Sequence, residues 1–316
     1  MVLANGAGPV SMSDILKDAG APLWTIIDGA SCPEMPQLVE ENGGVCLYRF
    51  DTPGDAPHAP WLIPVLPDTP IADDLSVLGN LQHWGIVFSS DADQRTLRNH
   101  FRKFTMLWTP ADEQAPVYFR FYDPRVLGDA MQALPSGDLS HLLAPALRLW
   151  VPVSPLLGGW TGLSPLAEAA VFRGHFLELA KPDGAAPSRP SAFRVLGGAY
   201  AEMTRLHGIR TRRKLARDLR GRFAAAPEQA ILTTARLAPE RAPVYGLVSV
   251  KHIGIFADAM MVFGPEFDVR IAEAAEILNR PEPVSLNKAV ALKEWFDTAR
   301  ARKRAHKSVM ATGVQA

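Results

Sequence analysis

The hydrophobic pattern changes character along the chain. Leu23–Asp28 (LWTIID) is a continuous apolar run stopped by Gly29, which predicts a buried strand. Pro33–Asn42 predicts a helix closed by Gly43-Gly44, and Val45–Phe50 (VCLYRF) a second strand. Asp51–Pro60 reads as a Pro-rich loop. Trp61–Leu66 predicts a third strand, and Pro64, with no N–H to donate, assigns it to a sheet edge. Trp84–Ser89 (WGIVFS) predicts a fourth. Behind Ser90 or Asp91 as cap, Leu97, Phe101, Phe104 and Trp108 recur at helical spacing. Val117–Tyr122 (VYFRFY) alternates: Val117, Phe119 and Phe121 share one face, Tyr118, Arg120 and Tyr122 the other. Asp123-Pro124 then supplies an N-cap and a first helical residue for a helix through Leu127, Ala130, Met131 and Leu134. Strands alternating with helices predict an α/β domain with a mixed or parallel sheet and flanking helices.

From Leu149 to Ala167 the chain carries no charge, but Pro152, Pro155, Gly158, Gly159, Gly162 and Pro165 interrupt it. A lipid-exposed helix must satisfy its backbone internally, so this run reads as an apolar loop and not a membrane span. Such a loop either cements two halves of the molecule or cradles a partner segment, with Trp160 the residue that separates the two readings. Ser164-Pro165 opens a short helix to Ala180, and Pro182–Pro190 reads as a linker. Beyond Ala192 helical spacing dominates: Leu196, Tyr200 and Met203; Leu215 and Leu219; Ile253, Phe256 and Met260; Ile271, Ala274, Ile277 and Leu278. The expected organisation is an α/β domain over 1–150, an apolar loop, short helix and linker over 151–190, and a mainly α-helical domain over 191–316 whose tail frays from Arg300.

Lys plus Arg equals Asp plus Glu, 33 each, yet the charge is split. Residues 1–150 hold 9 basic and 18 acidic side chains, the remainder 24 and 15, which suggests two bodies with different electrostatic duties. Cys32 and Cys46 are too few for a disulfide scaffold and lack C-x-x-C spacing. Met1–Asp14 has neither the basic nor the apolar region of a secretory signal, so a cytoplasmic location is expected. The glycine-rich phosphate loops, the G-x-S-x-G elbow and H-E-x-x-H are missing, and the eight histidines are scattered singly. The expectation is a protein without catalytic residues, metal or cofactor.

Two segments stand out. In FRFYDPRVL (119–127), Arg120, Asp123 and Arg125 crowd a strand end and a helix start, and Asp28 closes LWTIID similarly. Polar residues at strand C-termini of a parallel sheet converge where ligands bind. Arg120 and Arg125 could hold an anion or a peptide terminus. The preferred reading is scaffold: Asp123 caps the helix and an arginine pairs with Asp28 or Asp123, since buried charges are normally paired. Arg205–Arg222 holds eight Lys/Arg, including Arg212, Arg213 and Arg217, against one acid, Asp218. An apolar stripe (Leu206, Ile209, Leu215, Leu219, Phe223) shows that it packs, so its basic face is either solvated or meets an acidic protein surface. Without interleaved aromatics, nucleic acid is the weakest reading.

LWTIIDGA (23–30), VCLYRF (45–50), APWLIPV (59–65), WGIVFSS (84–90), LRNHFRKF (97–104) and above all FRFYDPRVL occur in an order that resembles the N-terminal domain of bacterial type VI secretion effector chaperones, or effector adaptors. The resemblance covers about residues 22–150. VYGLVSVKHIGIFADAMMVFGPEFD (244–268) is similar to the Tyr-Gly turn, helix and Phe-Gly…Phe-Asp stretch of the helical region that follows it in many members. The resemblance implies a cytoplasmic, non-enzymatic protein. It would bind one cognate effector toxin near the toxin's N-terminus and help load it on the valine-glycine repeat spike, without membrane contact or cofactor. The Arg205–Arg222 cluster departs from the acidic helices often found before the Tyr-Gly turn. The competing functions are an enzyme with an Arg/Asp site at the sheet edge and a nucleic-acid-binding regulator.

Overall fold

In this computed structural model the described residues are 8–32, 35–48, 54, 56–66, 69–78, 83–153, 174–182, 193–281 and 285–312. The chain divides into two compact units, Met1–His207 and Gly208–Ala316.

In the first unit the strands are β1 (Val10–Ser11), β2 (Leu23–Asp28), β3 (Val45–Cys46), β4 (Pro60–Val65), β5 (Gly85–Ser89), β6 (Met106–Thr109), β7 (Asp112–Tyr118), β8 (Arg148–Pro152) and β9 (His175–Leu179). Seven form one sheet in the order β1-β9-β8-β5-β2-β4-β3, and β6 and β7 form a separate ribbon. The helices are α1 (Met12–Asp18), α2 (Met35–Asn42), α3 (Ile71–Leu78), α4 (Gln94–Phe101), α5 (Pro124–Ala133) and α6 (Ser136–Leu142).

The expected α/β layer is present, with the sheet pairs antiparallel throughout. The alternation of strand and helix predicted parallel neighbours, and the topology explains the difference. β2 and β3, joined through α2, run the same way, as do β4 and β5, joined through α3. In each case one antiparallel strand lies between them: β4 in the first, β2 in the second. The crossovers therefore link next-nearest strands.

Both sheet faces are covered, which is why the strands read as continuous apolar runs. Ile26, Leu62, Ile86, Phe88 and Leu149 enter one core with Leu97, Phe101, Phe121, Leu127 and Leu142. Ile27, Trp61, Ile63, Val87 and Trp150 enter the other, under Met12 and Ile15 of α1, Leu38 of α2 and Leu75 of α3. Gly85 is required by close approach: a Cβ there would lie 2.1 Å from the Ile26 carbonyl oxygen.

Several local expectations change. β4 is internal and not an edge strand. Residues 61, 63 and 65 turn their backbone groups to β2, and the Leu47 N–H bonds the Pro60 oxygen on the opposite side. Pro64 therefore aims its nitrogen beyond the end of the two-residue β3, where no ladder bond is lost. Asp93 caps α4, accepting from the Thr96 N–H at 2.6 Å, and the helix ends at Phe101. Trp108 lies in β6, with its N–H and C=O bonded to Phe193 and Val195. β7 stops at Tyr118, so VYFRFY is strand only at its start. The apolar run from Leu149 begins as β8, and residues 154–173, Trp160 included, lie outside the described residues. β9 occupies the end of the expected Ser164–Ala180 helix, because Phe176 and Leu177 fill opposite faces of the sheet.

The second unit is helical, as expected. Helix α7 (Gly197–Arg222) carries the chain into it, followed by α8 (Glu228–Arg241), α9 (Val250–Phe263), α10 (Phe267–Arg270), α11 (Ala272–Asn279) and α12 (Ser285–Thr312). Leu219, Ile231, Ala238, Phe256, Leu278 and Phe296 form its core. The expected fraying from Arg300 is not observed: α12 continues to Thr312. No single helix among the described residues is long and apolar enough to cross a membrane. α8 with its following turn and α9 pass that test only as a pair bent by 116°, and Ala235, Ala238, Phe256 and Met260 from this pair are buried in the unit's core.

Candidate functional site

Asp28, the last residue of β2, is fully buried. Its Oδ1 accepts from the Ala30 N–H at 3.2 Å and its Oδ2 from the Ser31 hydroxyl at 2.8 Å, so the carboxylate shapes the turn leaving the strand. Arg120 Nη2 donates to the same Oδ2. Two residues after β7 ends, the chain thus crosses to the end of β2. The convergence foreseen from parallel strand ends occurs by another route, through the segment that follows a separate ribbon.

Asp123 caps α5, accepting from the Arg125 N–H at 2.9 Å and from the Arg125 guanidinium Nε and Nη2 at 2.9 and 2.6 Å. Burial pushes the Asp123 carboxyl up, but the Arg125 hydrogen bonds and charge outweigh it and hold the group below the usual carboxylate range. Arg125 spends its fork on Asp123. Arg120 is different. Burial alone would lower it, and the charges of Asp28 and Asp123 more than compensate. Its side chain stays 38% exposed, and its buried Nε has no partner among the described residues.

Arg120 lies on a groove of about 440 Å³ lined also by Ala30, Tyr48, Ala56, Pro57, His58, Ala59, Tyr118 and Tyr122. Exposed Tyr118 and half-buried Tyr48 form the wall, and Tyr122, 1% exposed, lies beneath it. The Tyr48 and Tyr118 rings lie 5.7 Å apart, and the Tyr48 and Tyr122 hydroxyls 3.3 Å apart. Burial is the main cause that raises both the Tyr48 and Tyr122 hydroxyls above the ordinary tyrosine range, so both are neutral donors near pH 7. Arg98 of α4 fixes this wall, donating to the Cys46 oxygen at 2.7 Å and the Tyr48 oxygen at 3.1 Å.

The structure brings Asp28 to Arg120 and Asp123 to Arg125. Arg212, Arg213 and Arg217 lie on α7, where Arg212 approaches Glu240 at 4.0 Å. Neighbouring cations of the same cluster pair with acids as well: Lys214 with Asp218, Arg220 with Glu228 and Arg222 with Asp258. Of the eight cations in the segment, these four have a carboxylate within 4.0 Å inside the second unit. Among the described residues no group of three or more His, Cys, Asp or Glu could hold a metal ion, and both cysteines are buried.

Sequence reasoning did not single out Tyr48, nor the groove itself, although the VYFRFY alternation had set Tyr118, Arg120 and Tyr122 on one side. It also missed a network in the second unit. Arg241 Nη2 donates to both oxygens of buried Asp268 at 2.6 and 2.7 Å, and the Tyr245 hydroxyl donates to the same carboxylate at 3.0 Å. Gly246, at φ 81°, turns the chain after Tyr245, and the Phe256 and Phe267 rings meet at 4.9 Å. The Tyr-Gly and Phe-Asp pieces of 244–268 are therefore one structural knot.

Residues 23–141 match the family described as a domain of unknown function, DUF4123. This domain is generally associated with type VI secretion effector chaperone or adaptor function. The match contains β2 through most of α6, and with them Asp28, Arg120, Asp123, Arg125 and the whole tyrosine groove. No curated protein and no solved structure matches the chain.

Proposed function

We propose that the protein is a cytoplasmic adaptor that binds a cognate type VI secretion toxin near the toxin's N-terminus and helps load it on the valine-glycine repeat spike. The observation that carries this reading is the family match over 23–141, which contains strands β2 to β7 and the whole groove. On this reading the protein is not an enzyme and takes no cofactor. The charged residues agree: Arg125 and Asp28 are committed to the fold, and what the site offers is shape, phenols and one guanidinium.

The test is co-expression of the full chain with the toxin-like product of a neighbouring gene, followed by affinity capture and gel filtration. A co-eluting complex that also retains the spike protein is expected. If the toxin elutes alone at micromolar concentrations, the adaptor reading fails. Nucleic acid remains the weaker reading, because the basic segment carries no interleaved aromatic side chains for bases to stack on.

A further inference from the structure

We infer that the tyrosine groove seats an extended acidic segment of the toxin, with a side-chain carboxylate on Arg120 and its apolar atoms against Tyr48 and Tyr118. This deepens the adaptor reading and rests on it.

The charged side chain on the described lining is Arg120, and no carboxylate lines it. Asp28 lies beneath the surface with its oxygens already engaged by Ala30, Ser31 and Arg120. It anchors one edge of the guanidinium and leaves the remaining half-exposed portion to a ligand. Arginine's planar fork suits a carboxylate, and anchoring one nitrogen reduces the entropy lost when the second carboxylate binds.

The rest of the wall fits a peptide. Tyrosines supply contact area on stiff side chains, and aromatics with arginine are the residue types enriched at protein interfaces. Tyr118 is 69% exposed, large for a tyrosine held ring to ring with Tyr48. Ala30, Ala56 and Ala59 keep the opposite wall low, and Pro57 adds an apolar rim. On the β3 side of the groove the outward backbone carbonyls are occupied. The Cys46 and Tyr48 carbonyls, which point away from β4, are taken by Arg98. On that side an incoming segment is read by side chains.

The test uses the full chain and two readouts. A phage-displayed library of random dodecapeptides is selected on the protein, and the enriched peptides are synthesised and titrated by calorimetry. We expect an Asp or Glu in the enriched peptides, and at least about tenfold weaker binding after its replacement by Asn or Gln, as for a hot-spot contact. Arg120→Gln should weaken binding as much. Because it could also unsettle buried Asp28, Tyr118→Ala serves as the second variant, removing an exposed wall without touching the ion pair, and should cost a similar factor. No enrichment, enriched peptides without a carboxylate, or peptides that bind Tyr118→Ala like the parent each overturn the groove assignment.

Toxin capture is read in parallel. Capture by the parent that persists undiminished in Tyr118→Ala overturns the groove while leaving the adaptor reading intact. No capture by the parent, with acidic peptides still bound through Arg120, overturns the toxin as occupant.

Discussion

Replacing Arg120 by Met should destabilise the first unit by about 1.5–3 kcal/mol. Asp28 is fully buried, with its side chain 1% exposed, and Arg120 is its one cationic partner among the described residues. Removing one member of a buried pair costs roughly 3–5 kcal/mol when the survivor has no other support. Two features reduce that figure. Asp28 keeps the Ala30 and Ser31 donors, and the 38% exposure of Arg120 means that water already screens part of the attraction. A charge-assisted hydrogen bond contributes about 1.5–3 kcal/mol, which sets the lower bound.

Urea unfolding followed by tryptophan emission in a Trp295→Phe background measures this unit, because Trp61, Trp84 and Trp150 are buried in its core while Trp295 belongs to the second unit. With a urea slope near 2 kcal/mol/M, the midpoint should fall by about 1 M. Adding Asp28→Asn to Arg120→Met should recover about 1–2 kcal/mol, because no buried charge then lacks a partner. A midpoint within 0.2 M of the parent for Arg120→Met would refute the argument that Asp28 depends on Arg120, and with it the anchoring of the guanidinium.

Three further outcomes are expected. Gly29→Ala would place a Cβ 2.2 Å from the Pro57 oxygen and 2.8 Å from the Ala59 oxygen, both backbone, so the far wall of the groove must move. A loss of about 2 kcal/mol or more in urea is expected, as for an overpacked site, and peptide binding should weaken with it. Asp123→Ala should cost about 0.5–2 kcal/mol as a lost helix cap. In the parent, because the folded Asp123 carboxyl titrates below its unfolded value, the unfolded chain binds the proton first as pH falls. The stability it gives is whole above about pH 4 and is lost below it. Arg125→Met should flatten that loss in acid titrations. His100 is pushed down by burial, against the raising effect of its hydrogen bond to the Leu142 oxygen. Its unfolded form therefore takes the proton first, and stability should drop as pH falls below about 6.5 toward the folded value. His100→Gln should reduce the slope between pH 6.5 and 5, and an unchanged slope would assign the effect to other groups.

The strands were legible where burial alone defines them. LWTIID, PWLIPV and GIVFS are apolar because helices cover both sheet faces. That same covering hid the sense of pairing, since a doubly covered antiparallel sheet writes the same apolar runs as a parallel one. Pro64 misled for a related reason: its missing N–H showed where a neighbour ends, not which strand lies at the edge. The pairs Asp28–Arg120 and Asp123–Arg125 were foreseeable from the rule that buried charges find partners, though not which arginine takes which aspartate. The tyrosine groove was not legible, because Tyr48 and Tyr118 are 70 positions apart in the chain, and only the fold brings their rings to 5.7 Å.

The division of labour between the two arginines follows from their distance to a cap. Arg125 sits two residues past Asp123, at a spacing where backbone N–H and guanidinium can address the same carboxylate, so its charge is absorbed locally. Arg120 precedes the helix; Asp123, three residues on, acts on it by charge but has its oxygens taken by Arg125. Arg120 reaches Asp28, 92 residues away in the chain, and can engage only one of its nitrogens there. A guanidinium held by one nitrogen over a fully buried carboxylate is fixed in position yet incompletely satisfied. Arg98 closes the neighbouring strand edge, and helices close both sheet faces. The end of β2 is thus a place where the first unit presents an oriented charge next to apolar surface, and those are the two properties that selective recognition of a charged peptide needs.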